Sequence, residues 1–411
     1  MRKSEYFNQF FLMVGLFFLG GIILGNFIDG FNGFWTKLVG GLPDDFIMRY
    51  RESLYVSNRI NPFDVIFGLR PVETNIGELW DVAGYTPWGM ALGIIFNFTF
   101  IPEGYAHILF LLIYLMIICI AGVVMYLECR KRYDYLLSIF MTMFALAIPG
   151  WGTGLDWLNF GAIFGAFIFF AVLLLDDHPI FAGILFGITA TKPQLAAPFY
   201  LGLLLKRQYK TLGVAIIIPV FLWVIALLLT STSIFEMIIQ FSNIMNIIGG
   251  QLGNWISSWT VLYDFNSASK AIQILGALLC IVYALFLWKF MKNKSINDNI
   301  TFYSVAAILS GMWTYSQAHD RTVLLIVLLC LFTKFKEVMN GDKIEKILFC
   351  LFTLSCIINT SRLAKMVGSI FAAGNMPGLF FDLIKYMVWI ALLLYIAIFS
   401  IPNETSVRYN E

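Results

Sequence analysis

The chain has 411 residues, of which 60% are apolar or aromatic and only 13% charged, with a net charge of +2. A soluble domain carries about 25% charged residues, so this composition excludes a solvated globular surface and identifies a polytopic membrane protein. The small net charge offers no basic footprint for nucleic acid, and six cysteines in so long a chain exclude a disulfide-stapled secreted scaffold.

Apolar runs long enough, or nearly so, to cross a hydrocarbon core of ~30 Å fall at 7–27, 105–127, 134–149, 160–175, 179–191, 194–205, 212–230, 269–290, 300–318, 321–333, 344–361 and 382–401. They predict an all-α polytopic membrane protein with about 12 transmembrane helices. Arg2 and Lys3 precede the first run, but it lacks a small-residue cleavage site, which predicts an anchor and not a signal peptide. Lys and Arg stay on the cytoplasmic side of short loops. An inside N-terminus puts Arg130, Lys131, Arg132, Lys206, Arg207, Lys334 and Lys336 inside as well, so both termini are expected to be cytoplasmic and the location a plasma membrane of bacterial type.

The same sorting decides two ambiguous segments. A full span at 87–101 would put Arg130, Lys131 and Arg132 outside, so that segment is expected to lie in the interface or to re-enter. One long helix over 179–205 would flip every later loop, so two short helices broken at Lys192-Pro193 are expected. At 1.5 Å per residue the first of them climbs about 20 Å, which predicts that Lys192 sits inside the protein. Cys119, Cys280, Cys330, Cys350 and Cys356 fall within apolar runs and Cys129 at a cytoplasmic end, so no outside disulfide is expected. No repeat or soluble domain interrupts the chain. It reads as a single membrane domain over 1–411, with a first loop at 28–104, core helices at 105–230 and C-terminal helices at 269–401.

The long first extracytoplasmic loop is expected to carry two interfacial helices. In the first, within 43–58, Phe46, Ile47, Tyr50 and Leu54 share one face and Arg49, Glu52 and Ser53 another, which predicts a helix lying flat on the bilayer and stopped by Asn61-Pro62. The second begins at Thr86, placed as N-cap, with Pro87 as first helical residue. Trp80, Tyr85 and Trp88 suit an interfacial aromatic belt. Asp44 and Asp45 open the first helix; either is a good N-cap, and either could be a carboxylate that takes a proton from an acceptor hydroxyl.

Ionisable groups at the rims of spans are functional suspects. The segment 150–159 is expected to be a loop offering Asp156 and Asn159. The break at 188–194 offers Lys192 and Gln194, and a buried Lys needs an anionic partner. His319, Asp320 and Arg321 stand together at the outer end of the ninth expected span, where a salt-bridged turn is the plain alternative. The loop 231–267, with Glu236, Gly249 to Asn254 and Asp264, reads as an ordinary covering loop. Together these point to an outward-opening cavity with carboxylates and with cations that could hold a phosphate, hence a lipid-linked substrate. His107, His178 and His319 are the only histidines and lie at no ligand spacing, so no metal is expected.

At these residues the chain resembles the GT-C glycosyltransferases, multi-span enzymes that use polyprenyl-phosphate sugars, and most of all glycosyltransferase family 87, typified by polyprenyl-phosphate-mannose-dependent mannosyltransferases. The matching pieces are PDDFIMRYRESLYVSNRINPFD (43–64), YTPW (85–88), LDWLN (155–159), AGILFGITATKPQ (182–194) and SGMWTYSQAHDR (310–321), in the family's order. Thr86 stands where the family has the first Pro of Y-P-P, and D-W-L-N where it has G-Q-x-N.

The resemblance implies transfer of mannose or another hexose from a polyprenyl-phosphate donor to a glycan or glycolipid acceptor hydroxyl, with inversion and without a cofactor. It implies Asp45 as general base, with Asp44 as the alternative. Lys192 would lie by the lipid phosphate, and Gln194, His319, Arg321, Asp156, Asn159 and Tyr85 would complete the substrate contacts. Two other classes remain. A lipid-linked polysaccharide polymerase or ligase would be expected to carry its large loop late in the chain. A secondary transporter would place its site at the midplane between repeated halves.

Overall fold

The structure is a computed structural model that describes residues 2–79, 86–251, 268–293, 298–313, 318–358 and 376–399. Among the described residues all regular structure is helical. The first helix, α1 (Arg2–Gly40), does not end at 27 but continues unbroken to Gly40, so the first loop begins at 41 and not at 28. What holds the extra turns is α7 (Pro149–Trp157), part of the segment expected to be a loop. The two helices meet at bare backbone: a Cβ on Gly30 would collide with the carbonyl oxygen of Gly152, and one on Gly152 with that of Asn26. Asn26 also donates to the Ala147 carbonyl at 3.2 Å, and Lys37 forms an ion pair with Asp156 while lying 4.1 Å above the Trp157 ring.

The first loop holds three helices, α2 (Asp45–Ser57), α3 (Pro62–Ile66) and α4 (Pro87–Phe96). Asp44 is the N-cap of α2, accepting from the Ile47 N–H at 2.9 Å. Asn61-Pro62 does more than stop that helix: Asn61 caps α3 through the Phe63 N–H, and Pro62 is its first residue. Thr86 and Pro87 open α4 as their sequence implies, although the Thr86 hydroxyl makes no cap bond and instead faces the Thr191 carbonyl at 3.4 Å. Ten residues of α4 rise about 15 Å, half a hydrocarbon core, in keeping with a segment that does not cross.

The polar face of α2 is not the solvated one that its amphipathic spacing implies. Its apolar face packs on α5 (Glu103–Arg130), with Phe46 stacked 5.4 Å from His107 and 4.6 Å from Phe110. Its polar face is buried too, because α4 closes over Arg49, Glu52 and Ser53. Amphipathic spacing tells which sides differ, not whether the polar one meets water or a neighbouring helix.

Among the described residues three helical stretches are long and apolar enough to cross a membrane, Leu12–Gly40, Glu103–Arg130 and Tyr209–Thr230, and a fourth if α6 (Tyr135–Leu146) and α7, bent by 43°, form one span. The helix lengths therefore do not support twelve crossings. Several of the helices are apolar all round for a reason other than lipid contact. In α8 (Phe160–Leu174) and α14 (Asn299–Ser310) nearly every residue is buried against protein, whereas α1 and α11 (Tyr209–Thr230) turn Phe17 and Leu228 outward.

The ninth expected run also ends early. Helix α14 stops at Ser310, and 318–324 form a 3-10 helix, Ala318–Leu324, that leads into α15 (Leu325–Thr333). The supposed covering loop at 231–267 is helical over α12 (Ile234–Gln251); its remainder, with Asp264, lies outside the described residues. The break at Lys192-Pro193 is as expected, between α9 (Pro179–Thr189) and α10 (Pro193–Leu205). One apolar core extends from Phe34 to Ala397, and all six cysteines are free thiols.

Candidate functional site

Four chain segments converge on one polar cluster. The first is the start of α2, where Asp44 and Asp45 point apart. Asp44 is fully buried; one carboxylate oxygen caps the helix and the other lies 2.7 Å from His107 Nε2. Asp45 is half-buried and accepts a hydrogen bond from the Asn159 amide.

Asn159 is the hub. Leu158, in the left-handed region at φ 43°, closes α7 and turns the chain so that Asn159 caps α8. Its Oδ1 accepts from the Gly161 N–H at 2.7 Å and from Lys192 Nζ at 2.9 Å. Two donors on the carbonyl end leave only one orientation for the amide, so the NH2 group is aimed at Asp45.

Lys192 occupies the break between α9 and α10. Pro193 keeps the preceding residue out of helical geometry, and Lys192 accordingly sits at φ −114°, ψ 82°, with its side chain running into the protein and 7% of the residue exposed. Besides Asn159, Nζ reaches Asp320 Oδ1 at 2.9 Å and His319 Nε2 at 3.3 Å. An ammonium can only donate, so His319 Nε2 is the acceptor and the ring proton belongs on Nδ1. Burial, then the Lys192 charge, pushes the His319 pKa down to about 4.

The close fit depends on Gly161. A Cβ there would run into Asp320 Oδ1, with Lys192 Nζ at 2.7 Å and His319 Cδ2 at 2.8 Å. Thr322 ties the 3-10 helix to α8 by donating to the Ala162 carbonyl at 2.9 Å.

Of the residues singled out in the sequence, Asp45, Asn159, Lys192 and His319 thus meet, with Asp44 directly behind. Gln194 is half-buried in the first turn of α10, where its backbone carbonyl accepts from Trp313 Nε1 at 2.8 Å. Arg321 is half-buried next to Asp320. Asp156 is directed elsewhere, into its ion pair with Lys37, and Tyr85 lies outside the described residues. Asp320 and Gly161 are members of the cluster that the sequence reading left out of its site. The adjacency of Asp320 to His319 and of Gly161 to the capping Asn159 was the available signal.

Beside the cluster, a small half-enclosed crevice of about 20 Å³, room for little more than a water molecule, opens between α2, α4 and α8, bounded by Arg49, Glu52, Ser53, Asn97, Phe160 and Thr191. Arg49 Nη1 donates to the Glu52 carboxylate at 2.6 Å. Burial nonetheless raises the Glu52 pKa to about 7, with Arg49 opposing and Asp45 adding to the rise.

The cluster places a reachable carboxylate, an oriented amide and a buried ammonium in one connected chain of hydrogen bonds, an arrangement suited to proton removal next to stabilised negative charge. Comparison with curated proteins and with solved structures returns no match. The family model of glycosyltransferase family 87 matches residues 84–333, a stretch that includes Asn159, Lys192, His319 and Asp320. Because that match covers more than half of the chain, the protein belongs to glycosyltransferase family 87, a family of GT-C type enzymes.

Proposed function

We propose that this membrane glycosyltransferase moves a hexose, mannose or a close relative, from a polyprenyl-phosphate donor to a hydroxyl of a glycan or glycolipid acceptor, with Asp45 as general base. The observation that carries the reading is the hydrogen-bonded chain from Asp45 through Asn159 to Lys192. Asp45 takes the proton from the acceptor hydroxyl as that oxygen bonds to the anomeric carbon. The bond from the anomeric carbon to the donor phosphate breaks on the opposite face, which inverts the centre, and polyprenyl phosphate leaves with the electron pair. Asn159 holds the Asp45 carboxylate in its attacking orientation. Lys192, with Arg321 nearby in sequence to Asp320, supplies positive charge on the side where the phosphate departs.

Asp44 is the less suitable base on physical grounds, because a fully buried carboxylate already engaged by a helix cap and by His107 cannot reach a substrate. The extracytoplasmic side of the reaction and the cytoplasmic termini follow from the distribution of Lys and Arg and belong to the same proposal.

Purified Asp45→Asn protein, assayed with a panel of polyprenyl-phosphate sugars, is expected to lose at least ~100-fold in transfer rate while expressing and unfolding as the native chain does. Asp44→Asn is expected to keep measurable activity and to unfold at lower temperature. Full activity in Asp45→Asn overturns the assignment, and loss confined to Asp44→Asn moves the base by one residue.

A further inference from the structure

We propose that His107 is a positioning residue for sugar transfer: acting through Asp44, it holds the first turn of α2, and with it the Asp45 carboxylate, where an acceptor hydroxyl can be met. The inference rests on Asp45 as the base and adds to it the group that fixes where the base stands.

Asp45 is the first residue of its helix, so its place depends on what anchors the helix start. One anchor is in front, the Asn159 amide. The other is behind. Asp44 accepts from the Ile47 N–H with Oδ1, and its Oδ2 lies 2.7 Å from His107 Nε2. An ionised carboxylate can only accept, so the ring carries a hydrogen on Nε2, as it can in the neutral and in the cationic form alike. Phe46 is offset-stacked on the same ring, with centroids 5.4 Å and planes 6° apart, and Phe34 of α1 meets it edge-on at 5.2 Å. With His107 only 2% exposed, the imidazole is fixed on three sides.

Capping alone does not call for this arrangement. Ser or Asn caps a helix about as well as Asp and brings no charge into the interior, whereas a buried carboxylate needs a partner. The second oxygen of Asp44 is surplus to the cap, and it is the one that His107 engages. What the pair adds over a plain cap is a fixed distance between α2 and α5.

That distance matters because α5 holds the other half of the site as well. His107, Phe110 and Tyr114 follow at helical spacing on one face of α5. Phe110 meets Phe46 of α2 and Phe160 of α8, each at 4.6 Å, and Phe160 is the residue after Asn159. Tyr114 donates to the Trp151 carbonyl at 2.7 Å and so fixes α7, which ends in the turn that presents Asn159. One face of α5 thus sets both ends of the Asp45–Asn159 hydrogen bond, and His107 is its member that acts on the residue next to the base. A base has to be aimed closely, since a misplacement of about 1 Å can cost about 100-fold in rate.

Steady-state kinetics of the full-length protein, well below its unfolding temperature, test the role. The donor is the polyprenyl-phosphate sugar of the panel above that the native protein turns over fastest, and the acceptor a membrane glycolipid extract. His107→Leu, which fills the space without a donor, is expected to lower kcat per folded molecule about tenfold or more, with KM for the donor within about threefold of native. His107→Gln, whose Nε2 can take the place of the ring nitrogen, is expected to recover most of that loss. His107→Leu combined with Asp44→Ser is expected to be no slower than the slower single variant, because both changes remove the same link.

A merely structural His107 would lower the unfolding temperature and leave kcat per folded molecule native in His107→Leu. That result overturns the proposal, as does a natively folded His107→Gln without rescue, or losses that multiply in the double variant. If His107→Leu does not fold, Asp44→Ser alone carries the test: it keeps the cap and drops the oxygen that His107 engages, and a native kcat in it overturns the proposal. Asp45→Asn separates this inference from the base assignment. Loss of transfer there with native kcat in His107→Leu sinks the positioning alone; full activity there sinks the base, and the positioning with it.

Discussion

At the scale of single residues, the cluster is organised by which atoms can donate. Lys192 has hydrogens only to give, so Asn159 and His319 must each turn an acceptor towards it, and Asn159 is thereby left with an NH2 group for Asp45. His319 is held neutral, its pKa lowered to about 4 from an ordinary 6.5. Between those two values the unfolded chain binds a proton that the folded protein refuses, so the contribution of His319 to stability rises with pH and is lost as pH falls from 6.5 towards 4. Glu52 slopes the other way. With its pKa raised from 4.5 to about 7, the fold keeps a proton the unfolded chain has released, and stability falls as pH rises through that window. The native profile sums both, and subtracting the profile of His319→Gln cancels every shared group. The difference in unfolding temperature is expected to shrink as pH is lowered from 7 to 5; a difference independent of pH would show that His319 is not held neutral. The sequence made Lys192 legible, because a lysine before a proline in an apolar run has to be buried with a partner. It could not separate Asp44 from Asp45. Neighbouring residues on a helix differ by about 100° in direction, and only the positions of His107 and Asn159 decide which acid is walled in.

At the scale of elements, short helices are set by bare backbone and by proline. The contact of α1 with α7 is made where Gly30 and Gly152 each face a carbonyl oxygen of the other helix. Backbone cannot yield as a flexible side chain does, so Gly152→Ala must push the helices apart. It is expected to cost about 1–3 kcal/mol, read as a lower unfolding temperature in detergent. Gly21→Ala, whose Cβ would meet nothing within 4 Å, should be neutral or gain slightly from better helix propensity. If the two variants unfold alike, the close approach contributes nothing. The same glycines explain why the sequence misled at 150–159. Three glycines among ten residues there, at 150, 152 and 154, read as a loop, but in α7 they are the price of helix-to-helix contact with α1, with Tyr114 and with the 3-10 helix. Proline was the more dependable sign. Pro87, Pro149, Pro179 and Pro193 each stand in the first turn of a helix, where the missing N–H is no loss.

At the scale of the whole molecule, the apolar composition revealed a membrane protein but could not count its crossings, because burial in protein and burial in lipid select the same side chains. Direction across the bilayer is better posed, and α5 supplies the ruler. Its 28 residues rise about 42 Å, more than a hydrocarbon core. Near its start the first loop is tied down by the Arg51–Glu103 ion pair at 3.0 Å. Beyond its far end Arg132 meets the Thr333 carbonyl and Lys336 donates to the Arg132 carbonyl at 2.9 Å. The loop and the basic cluster therefore lie at opposite ends of α5, and the sidedness proposed above, from the positive-inside rule, assigns the basic cluster to the cytoplasm. Arg70, in the first loop, and Lys131, at the end of α5, both have exposed side chains and can be replaced by cysteine without touching the core. Arg70→Cys is expected to react with a membrane-impermeant maleimide in intact cells, and Lys131→Cys only after permeabilisation, each measured against the background of the native thiols. The reverse pattern would put Asp45 and its cluster on the cytoplasmic face, and the donor would then have to present its sugar there. The sidedness would fail while the chemistry of the cluster, which depends only on groups within hydrogen-bonding distance, would stand.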